Sequence, residues 1–80
     1  MKTKEFIEKV EDLGFRVNSI NDDSYITIHL GIKIVFEIVK HDKWYEYDVD
    51  MFNRTLAELD MISQGRKLVS RYFNEQEEDN

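Results

Sequence analysis

The run Tyr25-Ile26-Thr27-Ile28-His29-Leu30-Gly31-Ile32-Lys33-Ile34-Val35-Phe36-Glu37-Ile38-Val39 holds two apolar alternations on either side of one glycine. Ile26, Ile28 and Leu30 fall at every second position, as do Ile32, Ile34, Phe36 and Ile38. A period of two marks a strand with one buried face, because successive side chains point to opposite sides. Tyr25, Thr27 and His29 then share the other face with Lys33, Val35, Glu37 and Val39. Gly31 marks the reversal between the two runs. The spacing predicts two antiparallel strands, the second long and central. Val35 and Val39 would leave the outer face half-apolar.

The flanks extend this pattern in both directions. Phe15 and Val17 alternate with Arg16 and Asn18, which predicts a strand before Tyr25. Asn21-Asp22-Asp23-Ser24 reads as the turn between them, since short polar side chains bond the local backbone and tolerate positive φ. His41-Asp42-Lys43 reads as a further turn, and Trp44 to Asp48 as a fourth strand rich in β-preferring aromatics.

Outside the strands the period becomes helical. Phe6, Ile7, Val10 and Leu13 recur on one helical face, with Thr3 as N-cap and Gly14 as a left-handed stop. Thr55-Leu56-Ala57-Glu58 fits a capping box, and Leu56, Leu59, Ile62, Val69, Tyr72 and Phe73 follow near one face. Gly65 interrupts that helix at about 1 kcal/mol relative to alanine, enough to kink or split it. The fold class expected is α+β: helix, three or four antiparallel strands, helix. Both helices would lie on one sheet face in a two-layer domain over residues 1–74. Residues 75–80 would form a disordered acidic tail.

Eighty residues suffice for one core and exclude a two-domain enzyme with a cleft. There is no cysteine, hence no disulfide framework, thiolate metal site or cysteine nucleophile. No apolar run reaches signal-peptide or membrane-span length, so a cytoplasmic protein without a membrane partner is expected. The net charge is −6, concentrated in Asp42, Glu46, Asp48, Asp50, Glu58 and Asp60. An acidic field repels phosphate backbones, so nucleic acid is not expected as a partner.

Catalytic vocabulary is thin. Gly14, Gly31 and Gly65 stand far apart, so no phosphate-cradling loop exists. Ser24, His29 and Asp23 can be named as a triad, yet nothing signals an oxyanion hole. His41, Asp42, Asp48 and Asp50 are the best oxygen-rich set for a cation, without calcium-loop spacing. No cofactor is implied. Arg66, Lys67 and Arg71 form a small basic cluster. The candidate partner-binding residues are Trp44, Tyr45, Glu46, Tyr47 and Asp48. Alternation puts Tyr45 and Tyr47 on one face, with Trp44, Glu46 and Asp48 on the other. Exposed aromatics beside acids suit a protein interface. A free strand edge leaves a homodimer open as well. The function expected is a non-enzymatic protein-interaction module. The alternative is a nucleic-acid-mimicking inhibitor of a host nuclease or defence system.

The opening, from Met1-Lys2-Thr3-Lys4-Glu5-Phe6-Ile7 to Leu13-Gly14-Phe15-Arg16-Val17, resembles the start of small uncharacterised proteins of Gram-positive (Firmicutes) phages and prophages. Those proteins begin with a similar helix ending in Leu-Gly-Phe. They continue with alternating strands, a strand end like Tyr47-Asp48, and a last helix with a leucine stripe and a late tyrosine like Tyr72. The resemblance spans most of residues 1–73 and departs at Ser63-Gln64-Gly65, where those proteins tend to be continuously helix-forming. It implies a phage or prophage accessory protein, with no activity and no site residues attached.

Overall fold

The structure is a computed structural model that describes residues 1–39, 42–47 and 54–78. Helix α1 spans Thr3–Asp12 and α2 spans Leu56–Glu78. Between them lie β1 (Arg16–Ile20), β2 (Tyr25–Leu30), β3 (Lys33–Val39) and β4 (Lys43–Glu46). The four strands form one antiparallel sheet in sequence order. This is the α+β architecture expected from the alternating runs.

Each turn has a local cause. Asn21, Asp22 and Asp23 take φ of 55°, 54° and 66°, the left-handed region that Asn and Asp tolerate best after glycine. The Ser19 hydroxyl donates to the Asp23 carboxylate, and the Ser24 N–H bonds the Asn21 carbonyl. Gly31 and Ile32 link the paired residues Leu30 and Lys33. Gly31 has φ +66°, which suits the first central position of a type II′ hairpin turn.

The strict alternation along β3 does not survive. Ile28 pairs with Phe36, but His29 pairs with Ile34, so Val35 is an extra residue in the ladder. Such a bulge turns two successive side chains towards the same side and reverses the phase beyond it. Val35 and Phe36 are both fully buried, whereas Ile34 is 38% exposed and Ile32, in the turn, 90%. Val35 therefore belongs to the core and not to the half-apolar outer face, and Ile32 and Ile34 do not belong to the core.

The core joins Ile26, Ile28, Val35, Phe36 and Ile38 of the sheet to Phe6 and Val10 of α1 and Ile62, Val69 and Tyr72 of α2. Phe6 stacks on Tyr72 with ring centroids 4.2 Å apart, which ties the two helices together. Helix α1 meets the sheet at β1, and α2 meets it at β3 and β4. Thr3 does not cap α1. Lys2 occupies that position without a side-chain bond, and the Thr3 hydroxyl instead meets the Tyr72 hydroxyl at 2.7 Å. Gly14, with φ +111°, ends the helix as expected.

The capping box of α2 is formed. The Glu58 N–H bonds Thr55 Oγ1 and the Thr55 N–H bonds Glu58 Oε1, both at 3.1 Å. Gly65 does not split α2, which passes through it. It is buried because Phe36 and Phe15 press against it. The helix runs on to Glu78, so Glu75, assigned above to the tail, is helical. Its carboxylate pairs with the Met1 ammonium and with Arg71. No helix among the described residues is long and apolar enough to cross a membrane.

Candidate functional site

Strand β4 presents different chemistry on its two faces. Register places Tyr45 opposite Glu37, and Glu37 opposite Thr27, on the face away from Phe36. Glu37 is the hub of that face. Its carboxylate accepts from the Tyr25 hydroxyl through Oε2 and from the Tyr47 hydroxyl through Oε1, the latter at 3.2 Å. Lys43 Nζ lies 5.9 Å from the Tyr45 ring centroid, within cation–π range. Tyr45 is 42% exposed and Tyr47 44%, so both rings stand in solvent while β3 holds their backbone.

The carboxylate sets the protonation of these phenols. The hydrogen bond to Glu37 holds the Tyr25 hydroxyl above its ordinary pKa of 10.0, reinforced by burial and by the Glu37 charge. Tyr47 is also raised, by burial first and by Glu37 next. Ionising either phenol would set two negative charges side by side. Both therefore stay neutral hydrogen-bond donors throughout the physiological range.

Further along the same face, His29 Nε2 lies 2.9 Å from Thr27 Oγ1, and Thr27 is almost fully buried. His29 Nδ1 is buried without a hydrogen-bond partner among the described residues. Burial, then the Arg16 charge, lowers its pKa from 6.5, so the ring is neutral near pH 7. No relay joins it to Asp23, whose carboxylate accepts from Ser19. Among the described residues no three His, Asp or Glu side chains gather to hold a metal ion. Asp42 is exposed in its turn, while His41, Asp48 and Asp50 lie outside the described residues.

On the opposite face of β4, Trp44 is half-buried with its ring centroid 6.3 Å from that of Phe36. Its other side lines a shallow groove with Arg66, Lys67, Ser70, Arg71 and Asn74 of α2. Arg66 Nε bonds Glu46 Oε1 at 2.7 Å, and Arg71 Nε bonds Glu75 Oε1 at 2.9 Å. Of the candidate partner-binding residues, Tyr45 and Tyr47 thus lie exposed together. Trp44 is an anchor between sheet and helix, Glu46 is tied to α2, and Asp48 lies outside the described residues. Sequence reasoning missed Glu37 as the hub. The signal was its place on the strand face shared with Tyr25, but the pairing with β4 had to be known first. Comparison of the chain with protein-family models, with curated proteins and with solved structures finds no match.

Proposed function

We propose that the chain is a small non-enzymatic interaction module that grips a protein partner through the outer face of β4. In keeping with its opening segment, it would serve as a phage or prophage accessory protein in the cytoplasm of a bacterial host. One observation carries this reading: Tyr45 of β4 and Tyr47, the residue just past its end, both stand exposed, with the Tyr47 hydroxyl already bound to Glu37. Tyrosines are favoured interface residues because they offer a large amphipathic surface with few rotatable bonds. Fixing one before contact lowers the ordering cost of association.

The nucleic-acid-mimic alternative has less support. A mimic needs unneutralised acids in an array, yet Glu46 and Glu58 are paired with Arg66 and Arg54.

The test is an affinity capture from a Gram-positive host lysate, treated with nuclease, using the wild type and the Tyr45→Ala/Tyr47→Ala variant side by side. Both residues are exposed, so the variant keeps its core and its circular dichroism. A host protein retained by the wild type and lost by the variant is the expected result. Equal capture by the two proteins would remove this face from consideration.

A further inference from the structure

Glu37 keeps unusual company for a glutamate of this chain. Glu46, Glu58 and Glu75 each hold an arginine within 2.9 Å. No lysine or arginine among the described residues pairs with Glu37. Two phenols take that place, Tyr25 on Oε2 and Tyr47 on Oε1. Neutral donors solvate a carboxylate and leave its charge uncompensated. An ionised carboxylate offers about four acceptor positions, two on each oxygen. The phenols use one on each oxygen, so one on each remains. The bond from Tyr47 lies at the exposed surface, where a ligand can reach the carboxylate.

Aromatic rings frame this charge. Tyr45 is the cross-strand neighbour of Glu37, which sets their Cβ atoms about 4.5–5.5 Å apart. The face of such a ring is negative and attracts a cation. Lys43 Nζ, 5.9 Å from the Tyr45 centroid, already occupies a position of that kind. Donation from the Tyr25 and Tyr47 hydroxyls to Glu37 polarises both phenols and adds electron density to their rings. An open carboxylate and cation-attracting rings therefore meet on one strand face.

We infer that this face binds an arginine side chain from a basic segment of a protein partner. The guanidinium lies against Tyr45 and Tyr47 and donates two N–H bonds, one to each oxygen of Glu37. A planar fork fits one free acceptor per oxygen, and it stacks on aromatic faces; a lysine ammonium is a point charge without that fork. The net charge of −6 draws a basic partner to the surface, whereas an acidic one would meet Glu37 charge against charge. The inference rests on the protein-partner reading above and adds the chemistry by which the partner is recognised.

The test titrates Nα-acetyl-arginine amide into the pure full chain and follows the Tyr25, Tyr45 and Tyr47 ring resonances by NMR. Nα-acetyl-lysine amide, of equal charge, is the control. The arginine probe is expected to bind with a Kd of about 1–10 mM and the lysine probe several times more weakly. Glu37→Gln keeps an acceptor for the phenols and should weaken arginine binding about tenfold. Lys43→Ala, at an exposed residue, removes the cation that competes for the Tyr45 ring and should tighten it about two- to threefold. Equal response to the two probes would overturn the inference. So would weaker binding by Lys43→Ala, or no ring shift with the arginine probe at about 30 mM, well above that Kd. Such a failure, beside lysate capture that still depends on Tyr45 and Tyr47, strikes the guanidinium assignment and leaves the interface standing. Capture that survives Tyr45→Ala/Tyr47→Ala removes the interface and this inference with it.

Discussion

Gly65 lies in the interior of α2, where alanine is ordinarily better than glycine by about 1 kcal/mol. The Gly65→Ala variant puts a methyl carbon 3.0 Å from Phe36 Cε2, 3.1 Å from Phe15 Cε2 and 3.3 Å from Phe15 Cζ. Carbon atoms pack without strain at about 3.5–4.0 Å, so each ring must withdraw by roughly 0.2–0.5 Å or the helix must lift. Neither ring has free room. Phe15 and Phe36 pack edge to face at 6.3 Å, and Phe36 backs onto Trp44 at 6.3 Å. Overpacking of this kind costs about 1–3 kcal/mol, and the propensity gain offsets about 1 of it. The expected net loss is about 1 kcal/mol, or about 4–8 °C in a domain of this size. Urea unfolding followed by circular dichroism reads it as a lower midpoint at unchanged slope. The Phe15→Leu background should relieve part of the loss, giving a favourable coupling in a double-mutant cycle. If Gly65→Ala instead stabilises the protein by about 1 kcal/mol, the propensity term acts unopposed and the close approach of helix to sheet is wrong.

Three further outcomes follow from the packing and the charges. Val35→Ala should cost about 2 kcal/mol and Ile34→Ala under about 1, because the bulge buries the first and exposes the second; chemical denaturation giving the opposite order would restore strict alternation. Tyr72→Phe keeps the stack on Phe6 but loses the bond to Thr3, and should lower stability by about 1 kcal/mol in the same assay. The Met1 ammonium first, and Arg71 next, hold the Glu75 carboxyl below its ordinary value of 4.5. The folded chain therefore gives up that proton more readily than the unfolded one. The stabilisation is complete above pH 4.5 and is lost as pH falls through the lower folded value. Thermal melts of wild type and Glu75→Gln should thus diverge at neutral pH and converge in acid; a constant separation across the range would contradict the pairing.

Elements whose cause lies within a few residues were legible in advance. Thr55 and Glu58 form their capping box, and Gly14 stops α1, because both devices join neighbours in the chain. Ile26 and Ile28 alternate into the core because β2 is regular on their side of the ladder. For the site, alternation separates Tyr45 and Tyr47 from Trp44 and Glu46. It does not reveal that Glu37 receives two phenols, since Tyr25 comes from β2 on one side of it and Tyr47 from just past the end of β4 on the other. Nor does it reveal that Glu46 ends on Arg66, 20 positions away.

The amino-acid order alone settled the type of the elements, their antiparallel succession and most of their ends, and left open whether there were three strands or four and whether the last helix was one piece. Periodicity, caps and turn residues act over one or two turns of chain, and their energies are local. Tertiary packing settled the rest. It inserted Val35 as a bulge, so that two adjacent side chains fill one core and Ile34 is turned out. It drew the Thr3 hydroxyl away from a cap to Tyr72, 69 positions on. It made a glycine necessary at position 65, where two phenylalanine rings approach a helix that local propensity would have given a larger residue. Each of these depends on which surface arrives opposite, and that is defined only once sheet and helices have met.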